Sequence, residues 1–256
     1  MTGEVEFDRI APVYDETRRP PSREELDALA AMLGGCRTVL DAGVGTGRFA
    51  VPLRERGFEV VGVDLSLEMM RRARSKGVSA LIRADALHLP LADHVVDAGF
   101  MAHVLQLLPD PRIALRELGR VARRRVVVQL PEWFDRPPSD VVRRRRARYR
   151  EIAAELGYTL PERCPRYWHS LEELGAIATP VEVRVVTRPL PEGEGSDERF
   201  ARWVAGMLGG GQIPAEVHAE IVRRLQAEFP GDPVGWRRPR TSRFVAWEAS
   251  QLNARA

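Results

Sequence analysis

The sequence predicts an α/β protein built around a doubly wound, mostly parallel β-sheet. Over residues 37–130, short β-branched runs alternate with amphipathic stretches of helical length, as in strand–helix–strand units with right-handed crossovers. A glycine-rich turn follows the first predicted strand, and acidic residues accompany the ends of the first three. Because the carboxyl ends of parallel strands meet at one edge of a sheet, we expect these features to lie together.

Five apolar runs define the strands of the first half. They are predicted at 38–40, 59–63, 80–82, 95–101 and 125–130, with helices at 47–56, at 66–76 and from Asp110 onward. Gly57 closes the first of these helices, as glycine commonly does after a last helical turn. Pro111 opens the third, because proline suits the first helical position.

The rest of the chain is mostly helical in pattern. Ser22 with Glu25 forms a capping box for a helix that ends at Gly34 and Gly35, and Ser170 with Glu173 forms a second box. Further predicted elements are an arginine-rich helix at 139–156, a strand at 181–187, two helical stretches within 196–229 and a last strand at 242–247.

Composition indicates one globular protein. The 256 residues suit a single α/β domain with insertions, and 44% hydrophobic with 29% charged residues is ordinary globular usage. Two cysteines, Cys36 and Cys164, do not suggest a disulfide framework. Neither a signal peptide nor an apolar run of about 20 residues is evident. We therefore expect a cytoplasmic protein.

Charge is uneven along the chain although the net charge is only +3. Lys76 is the only lysine, and residues 112–150 hold 13 arginines against 4 acids, a local charge of +9. Side chains such as Arg143 and Arg148 could contact phosphates. On a helix, however, the arginines of this run spread around most of the circumference, which favours a solvated helix.

The turn after the first strand carries the first chemical signal. Asp41 precedes Gly43, Gly45 and Gly47, and such glycines let the backbone approach a ligand closely. The dinucleotide fingerprint requires a further glycine where this chain has Arg48. Asp41 would also face a pyrophosphate unfavourably, so the loop suits a ligand with a positively charged end.

Two further acids indicate which other groups the ligand carries. Asp64 ends the second strand, 21 residues after Gly43, where a carboxylate can accept both hydroxyls of a ribose. Asp85 follows the third strand and can accept a hydrogen bond from an exocyclic amine such as that of adenine. Together the acids and glycines outline an adenosine with a cationic tail and no phosphates, which S-adenosylmethionine fits.

On these residues the segment from Val39 to Leu130 resembles the class I S-adenosylmethionine-dependent methyltransferases. It is most similar to the small-molecule group typified by the ubiquinone and menaquinone C-methyltransferases. The matching pieces are residues 7–15, 41–47, 61–66, 84–86, 89–91 and 103–105, with Met69 and Asp97.

The resemblance implies a Rossmann-like seven-strand sheet whose last strand is antiparallel, with helical lid insertions. It implies that Asp41 and the glycines hold the methionine end of the cofactor, Asp64 the ribose, and Asp85 with Ala86 the adenine. The residues assigned to the cofactor site are Tyr14, Asp41, Gly43, Gly45, Gly47, Asp64, Leu65, Met69, Asp85, Ala86 and Met101. For Tyr14, packing of the N-terminal arm is an equal alternative. No metal site is assigned.

A single methyltransferase domain over residues 1–256 follows from this division. Its parts are an N-terminal helical arm (1–35), a cofactor-binding core (36–131), a helical lid and acceptor region (132–169 and 190–240), and segments that return to the sheet (170–189 and 241–250).

The implied reaction is in-line methyl transfer to an O, N or C atom of a small-molecule acceptor. His103, after the fourth strand, is the candidate general base; the alternative is a histidine that holds the loop. Met101-Ala102-His103 stands where amino-methylating nucleic-acid enzymes carry an Asn/Asp-Pro-Pro-aromatic signature. Two alternatives stay open: an RNA methyltransferase that uses the arginine-rich helix, and a non-catalytic protein that binds S-adenosylmethionine.

Overall fold

Seven strands form one sheet in the computed structural model, which describes residues 2–131, 140–160, 167, 169, 171–188, 213–230 and 240–253. In chain order the strands are β1 (Thr38–Ala42), β2 (Glu59–Asp64), β3 (Leu81–Arg83), β4 (Val96–Ala102), β5 (Ala122–Pro131), β6 (Glu182–Arg188) and β7 (Arg240–Glu248). Their spatial order is β3-β2-β1-β4-β5-β7-β6. The first five strands are parallel, and β7 is antiparallel to both β5 and β6.

Helices flank the sheet and extend beyond it. They are α1 (Thr2–Thr17), α2 (Arg23–Met32), α3 (Ala50–Glu55), α4 (Leu67–Ser75), α5 (Pro111–Val121), α6 (Asp140–Glu155), α7 (Leu171–Ile177), α8 (Ala215–Glu228) and α9 (Ala249–Asn253). In the described ranges none of them is long and apolar enough to cross a membrane.

The predicted doubly wound sheet with an antiparallel last strand is confirmed. The capping box of α2 is also confirmed, since Ser22 N donates to Glu25 Oε2 over 2.7 Å and Glu25 N donates to Ser22 Oγ over 3.2 Å. Asp110 caps α5 by accepting from the backbone N–H of Arg112 over 2.9 Å. The predicted box at Ser170 and the first helical stretch of 196–229 lie outside the described residues.

Some boundaries differ from prediction for local reasons. Helix α3 begins at Ala50 rather than at 47, because the glycine turn occupies the intervening residues. Strand β5 begins at Ala122, directly after α5. The short helix α9 was not predicted; it packs on α5, where a Cβ on Gly119 would lie 2.8 Å from the side chain of Leu252.

Each face of the sheet buries its own apolar layer. One face carries Leu40, Val128 and Trp247 and is covered by α5, α7 and α9. The other carries Phe100 and Phe244 and is covered by α2 and α3. Helices α6 and α8 form a separate apolar cluster, and α1 packs on α4.

The direction of the strands fixes where a ligand would lie. Strands β5 and β6 point the same way, because both are antiparallel to β7. The carboxyl ends of β1 to β6 therefore share one edge of the sheet, which we call the carboxyl edge. Open α/β sheets bind their ligands at this edge.

Candidate active site

The glycine turn after β1 is held against β2. The N–H groups of Gly43 and Val44 donate to the carbonyl oxygen of Val63 over 2.7 and 2.9 Å. Gly43 and Gly45 have φ values of +86° and +54°, a backbone region that favours glycine. A Cβ on Gly43 would lie 2.2 Å from Val104 Cγ2, whereas a Cβ on Gly45 would meet nothing within 4 Å. Gly43 is thus required for packing, and Gly45 borders open space.

Asp64 connects this turn to the next helix. Its Oδ2 accepts from the N–H of Gly45 and its Oδ1 from the N–H of Ser66, each over 2.8 Å. Burial raises the pKa of Asp64, and these backbone hydrogen bonds oppose that shift. Carboxylate oxygens have more than one acceptor direction, so the half-buried side chain keeps capacity for hydroxyl groups of a ligand.

Asp41 is the most unusual charge of the site. Its side chain is only 2% exposed, and no side chain or N–H group of the described residues donates a hydrogen bond to it. Burial, together with the nearby Asp64, raises the pKa of Asp41 to about 7. A buried carboxylate without a partner is costly. Its position beside the glycine turn fits a ligand that brings a cationic group.

The other predicted cofactor residues divide into two groups. Asp85 accepts from the N–H of Leu87 over 2.9 Å and is half-buried, as is Ala86, while Leu65 is 39% exposed and available to a ligand. Met69 and Met101 are each 1% exposed and pack in apolar clusters. These two methionines lie beneath the site and offer little surface to a ligand.

Helix α1 closes over the glycine turn and the start of α4. Asp8 Oδ1 accepts from Ser66 Oγ over 2.5 Å, and Asp15 Oδ1 accepts from Thr46 Oγ1 over 2.6 Å. Lys76 Nζ donates to Asp15 Oδ2 over 2.6 Å and to the carbonyl oxygen of Thr46 over 3.0 Å.

Tyr14 lies on the same helix, half-buried in the apolar cluster that also holds Met69. The sequence pattern marked the arm that contains Asp8 and Asp15, but not these two contacts. Their partners lie far along the chain, and sequence spacing gives no sign of them.

His103 occupies a constrained position after β4. Its φ is +58°; its N–H donates to the carbonyl oxygen of Gln129 over 3.4 Å, and its own carbonyl accepts from Gln106 Nε2 over 2.6 Å. Burial and the charges of Arg48, Arg18 and Arg188 place the pKa of His103 well below its usual value. The imidazole is therefore uncharged at neutral pH.

Three arginines around His103 were not predicted as site residues. Arg48 Nε donates to the carbonyl oxygen of Arg19 over 2.8 Å, and its Cζ lies 5.3 Å from the ring centroid of Phe49. Arg188 Nη2 donates to the carbonyl oxygen of Pro20 over 2.6 Å. Because the three come from the turn after α1, the glycine turn and β6, only the fold brings them together.

Comparisons with known proteins agree with this architecture. Residues 40–128 match the family described as methyltransferase domain. A malonyl-(acyl-carrier protein) O-methyltransferase from Hamiltonella defensa is 40% identical over 120 residues, which cover 46% of this chain and 46% of that protein. A ubiquinone/menaquinone biosynthesis C-methyltransferase from Syntrophotalea carbinolica is 38% identical over 130 residues, covering 46% and 55%.

The structure of an S-adenosylmethionine-dependent methyltransferase from Thermotoga maritima has the same fold, with a TM-score of 0.54 and 23% identity over 94% of this chain and 97% of that one. Residues 40–128 thus match a methyltransferase domain, and the described sheet has the fold of a solved S-adenosylmethionine-dependent methyltransferase. It spans about half the length of the curated relatives it matches.

Proposed function

We propose that the chain binds S-adenosylmethionine at the carboxyl edge over β1 to β3 and transfers its methyl group to a small-molecule acceptor held beside β4. The observation that carries this proposal is the buried carboxylate of Asp41, which has no partner in the described residues and lies next to the glycine turn. Such a group suits the cationic amino-acid end of this cofactor.

The neighbouring residues suit the remainder of the same ligand. Asp64 has acceptor capacity for ribose hydroxyls, and Asp85 with Ala86 would bind the adenine. Leu65 presents apolar surface, and the open space at Gly45 admits a ligand close to the backbone. We keep Met69 and Met101 as supports beneath this site and Tyr14 as part of its cover.

When bound, S-adenosylmethionine supplies a methyl group on a positively charged sulfur that is already activated for displacement. The chain has to align the acceptor and exclude water, contributions worth up to ~7–11 kcal/mol. Helix α1 covers the glycine turn through Asp8 and Asp15. The uncharged imidazole of His103 has a lone pair that can take a proton from an acceptor that arrives protonated.

The proposal includes two further expectations. The first is the division of the chain into arm, cofactor-binding core and helical lid, which the positions of α1, the sheet, and α6 with α8 support. The second is a cytoplasmic location, which the low cysteine content supports.

Isothermal titration with S-adenosylmethionine tests the cofactor proposal. We expect the wild type to bind S-adenosylmethionine. Asp64→Ala should bind it at least about tenfold more weakly, because charge-assisted hydrogen bonds are lost. Glu59→Ala is the matched control, since Glu59 begins the same strand at the opposite edge and is exposed. Asp85→Ala is a second probe that leaves Gly45 and Ser66 undisturbed. Absence of binding to the wild type, or equal binding to all variants, would refute the proposal.

A further inference from the structure

The carboxyl edge carries a group of acids and, around His103, a group of arginines. Asp85, Asp64 and Asp41 lie at the ends of β3, β2 and β1. The charged groups that act on His103 are arginines only. Arg48 belongs to the glycine turn, Arg18 follows α1, and Arg188 ends the outermost strand β6. The acids suit a cationic cofactor, and the arginines suit a ligand of the opposite sign.

Two of these arginines are fixed in place by the backbone. Arg48 is anchored through Nε to the carbonyl oxygen of Arg19 and lies along the ring of Phe49. Arg188 is anchored to the carbonyl oxygen of Pro20, and its Nε lies 3.3 Å from Glu25 Oε2. Both arginines therefore donate to the backbone of the turn between α1 and α2. Guanidinium groups held in this way lose little side-chain entropy when they bind a ligand.

One acid, Glu25, lies within reach of the three arginines, and it offsets only part of their charge. Its side chain is 1% exposed and also accepts from the backbone N–H of Ser22 and from the hydroxyl of Ser242. Among the described residues Arg48 has no carboxylate partner. Burial lowers the pKa of Arg48; Tyr14 and Glu25 oppose this shift, and the charges of Arg188 and Arg18 add to it. Like charges held together in a poorly solvated place repel one another, and an anion would relieve that repulsion.

We propose that the methyl acceptor carries an oxyanion, a carboxylate or a phosphate, which Arg48 and Arg188 bind beside His103, with Arg18 nearby. The inference rests on the proposed function and narrows its substrate class. The planar guanidinium fork matches both oxyanions. Because the anion sits beside β4, next to the proposed cofactor site, it would hold the acceptor where the methyl group is delivered.

Titration of simple anions tests this site directly. Inorganic phosphate and succinate are added separately to the protein by calorimetry, with and without S-adenosylhomocysteine, at constant ionic strength maintained with chloride. We expect the wild type to bind one of them, and Arg48→Gln and Arg188→Gln each to weaken that binding by about tenfold or more. Arg23→Gln is the control, because its side chain is 87% exposed on α2, and it should bind as the wild type does.

The outcomes separate the two proposals. Tighter binding of phosphate supports a phosphomonoester acceptor, and tighter binding of succinate supports a carboxylate. If neither anion binds the wild type more tightly than Arg48→Gln while S-adenosylmethionine still binds, the oxyanion site is refuted and the proposed function stands. If S-adenosylmethionine fails to bind, the proposed function is refuted, whether or not phosphate or succinate binds.

A second measurement covers the case in which Arg48→Gln does not fold. Imidazole resonances of the wild type are followed by NMR across a pH series, with His103 assigned from His103→Asn. Bound phosphate or succinate offsets the arginine charges, so the pKa of His103 should rise towards its ordinary value. An unchanged His103 titration at saturating anion would overturn the inference.

Discussion

At the scale of single residues, the ionised carboxylate of Asp41 suits a cationic ligand but destabilises the ligand-free protein. Its carboxylate has a pKa raised to about 7 by burial and by Asp64, so the folded protein holds a proton there that the unfolded chain has released. Between the unfolded value of 3.8 and about 7, the folded state therefore binds more protons than the unfolded state. Stability of the ligand-free protein must fall as pH rises through this window.

Asp41→Asn removes this titration. We expect the free energy of unfolding of the variant, relative to wild type, to increase by roughly 2–3 kcal/mol between about pH 5 and pH 8, with no further change at higher pH. Affinity for S-adenosylmethionine should fall at the same time, because the carboxylate that we propose faces its cationic end is gone. Denaturant melts across pH and calorimetry measure the two effects. A variant that loses both stability and affinity would contradict this account of Asp41.

The glycines of the turn differ in what they permit. Gly43→Ala should destabilise the fold by about 2–4 kcal/mol, since its Cβ would overlap Val104 at a positive φ. Gly45→Ala should cost only about 1–2 kcal/mol from its backbone conformation, yet weaken cofactor binding by filling open space. Thermal melts and calorimetry on both variants separate them. Equal loss of stability in the two would show that the open space at Gly45 has no role.

Residues adjacent in sequence were predictable, and residues gathered by the fold were not. The turn from Asp41 to Gly47 and the acid at Asp64 are local patterns, and the structure places them together at one edge. Arg48 and Arg188 carry no local signal, because 38 arginines make each of them unremarkable in the sequence. Their meeting depends on the direction of β6, which follows from its pairing with β7.

At the scale of elements, α1 is held by a few polar contacts at the proposed cofactor site. Asp15→Ala removes the bonds to Thr46 and Lys76. We expect faster hydrogen exchange across α1 and several-fold weaker binding of S-adenosylmethionine, from about 1–2 kcal/mol of lost docking. Asp27→Ala is the control, because Asp27 also forms ion pairs, with two arginines, but lies on α2 rather than on α1. If both variants behaved alike, α1 would have no part in binding.

Some helices and strands can be predicted from local sequence pattern, and others cannot. The parallel strands and the capped helices α2 and α5 follow from alternation and local caps, which are written in neighbouring residues. Helix α9 has only five residues, too few for a period, and it is stabilised by packing on Gly119 of α5. Such an element depends on tertiary contacts, so the sequence alone does not reveal it.

At the scale of the whole molecule, part of the +9 stretch is balanced by acids outside it. Arg148 donates to Glu228 over 2.8 Å and to Glu155 over 2.8 Å, and Arg145 is only 3% exposed. Arginines earlier in the same stretch pair with acids of other elements in the same way. The acids concerned are Asp93, Asp97, Glu182 and Glu248.

This balance bears on the alternative of RNA methylation. Binding to RNA by electrostatic contact requires arginines that lie on one accessible face and release counterions from phosphates. On α6, Arg148 instead binds Glu228 of α8 and Arg145 is buried, which leaves few arginines on an accessible face. We therefore expect no tRNA binding at about 150 mM salt and only a shallow salt dependence at lower concentrations. Filter binding with tRNA across a salt series measures this, with Arg144→Gln, an exposed position on α6, as the sensitive variant. Tight binding with a steep salt slope that Arg144→Gln reduces would instead establish α6 as a nucleic-acid surface.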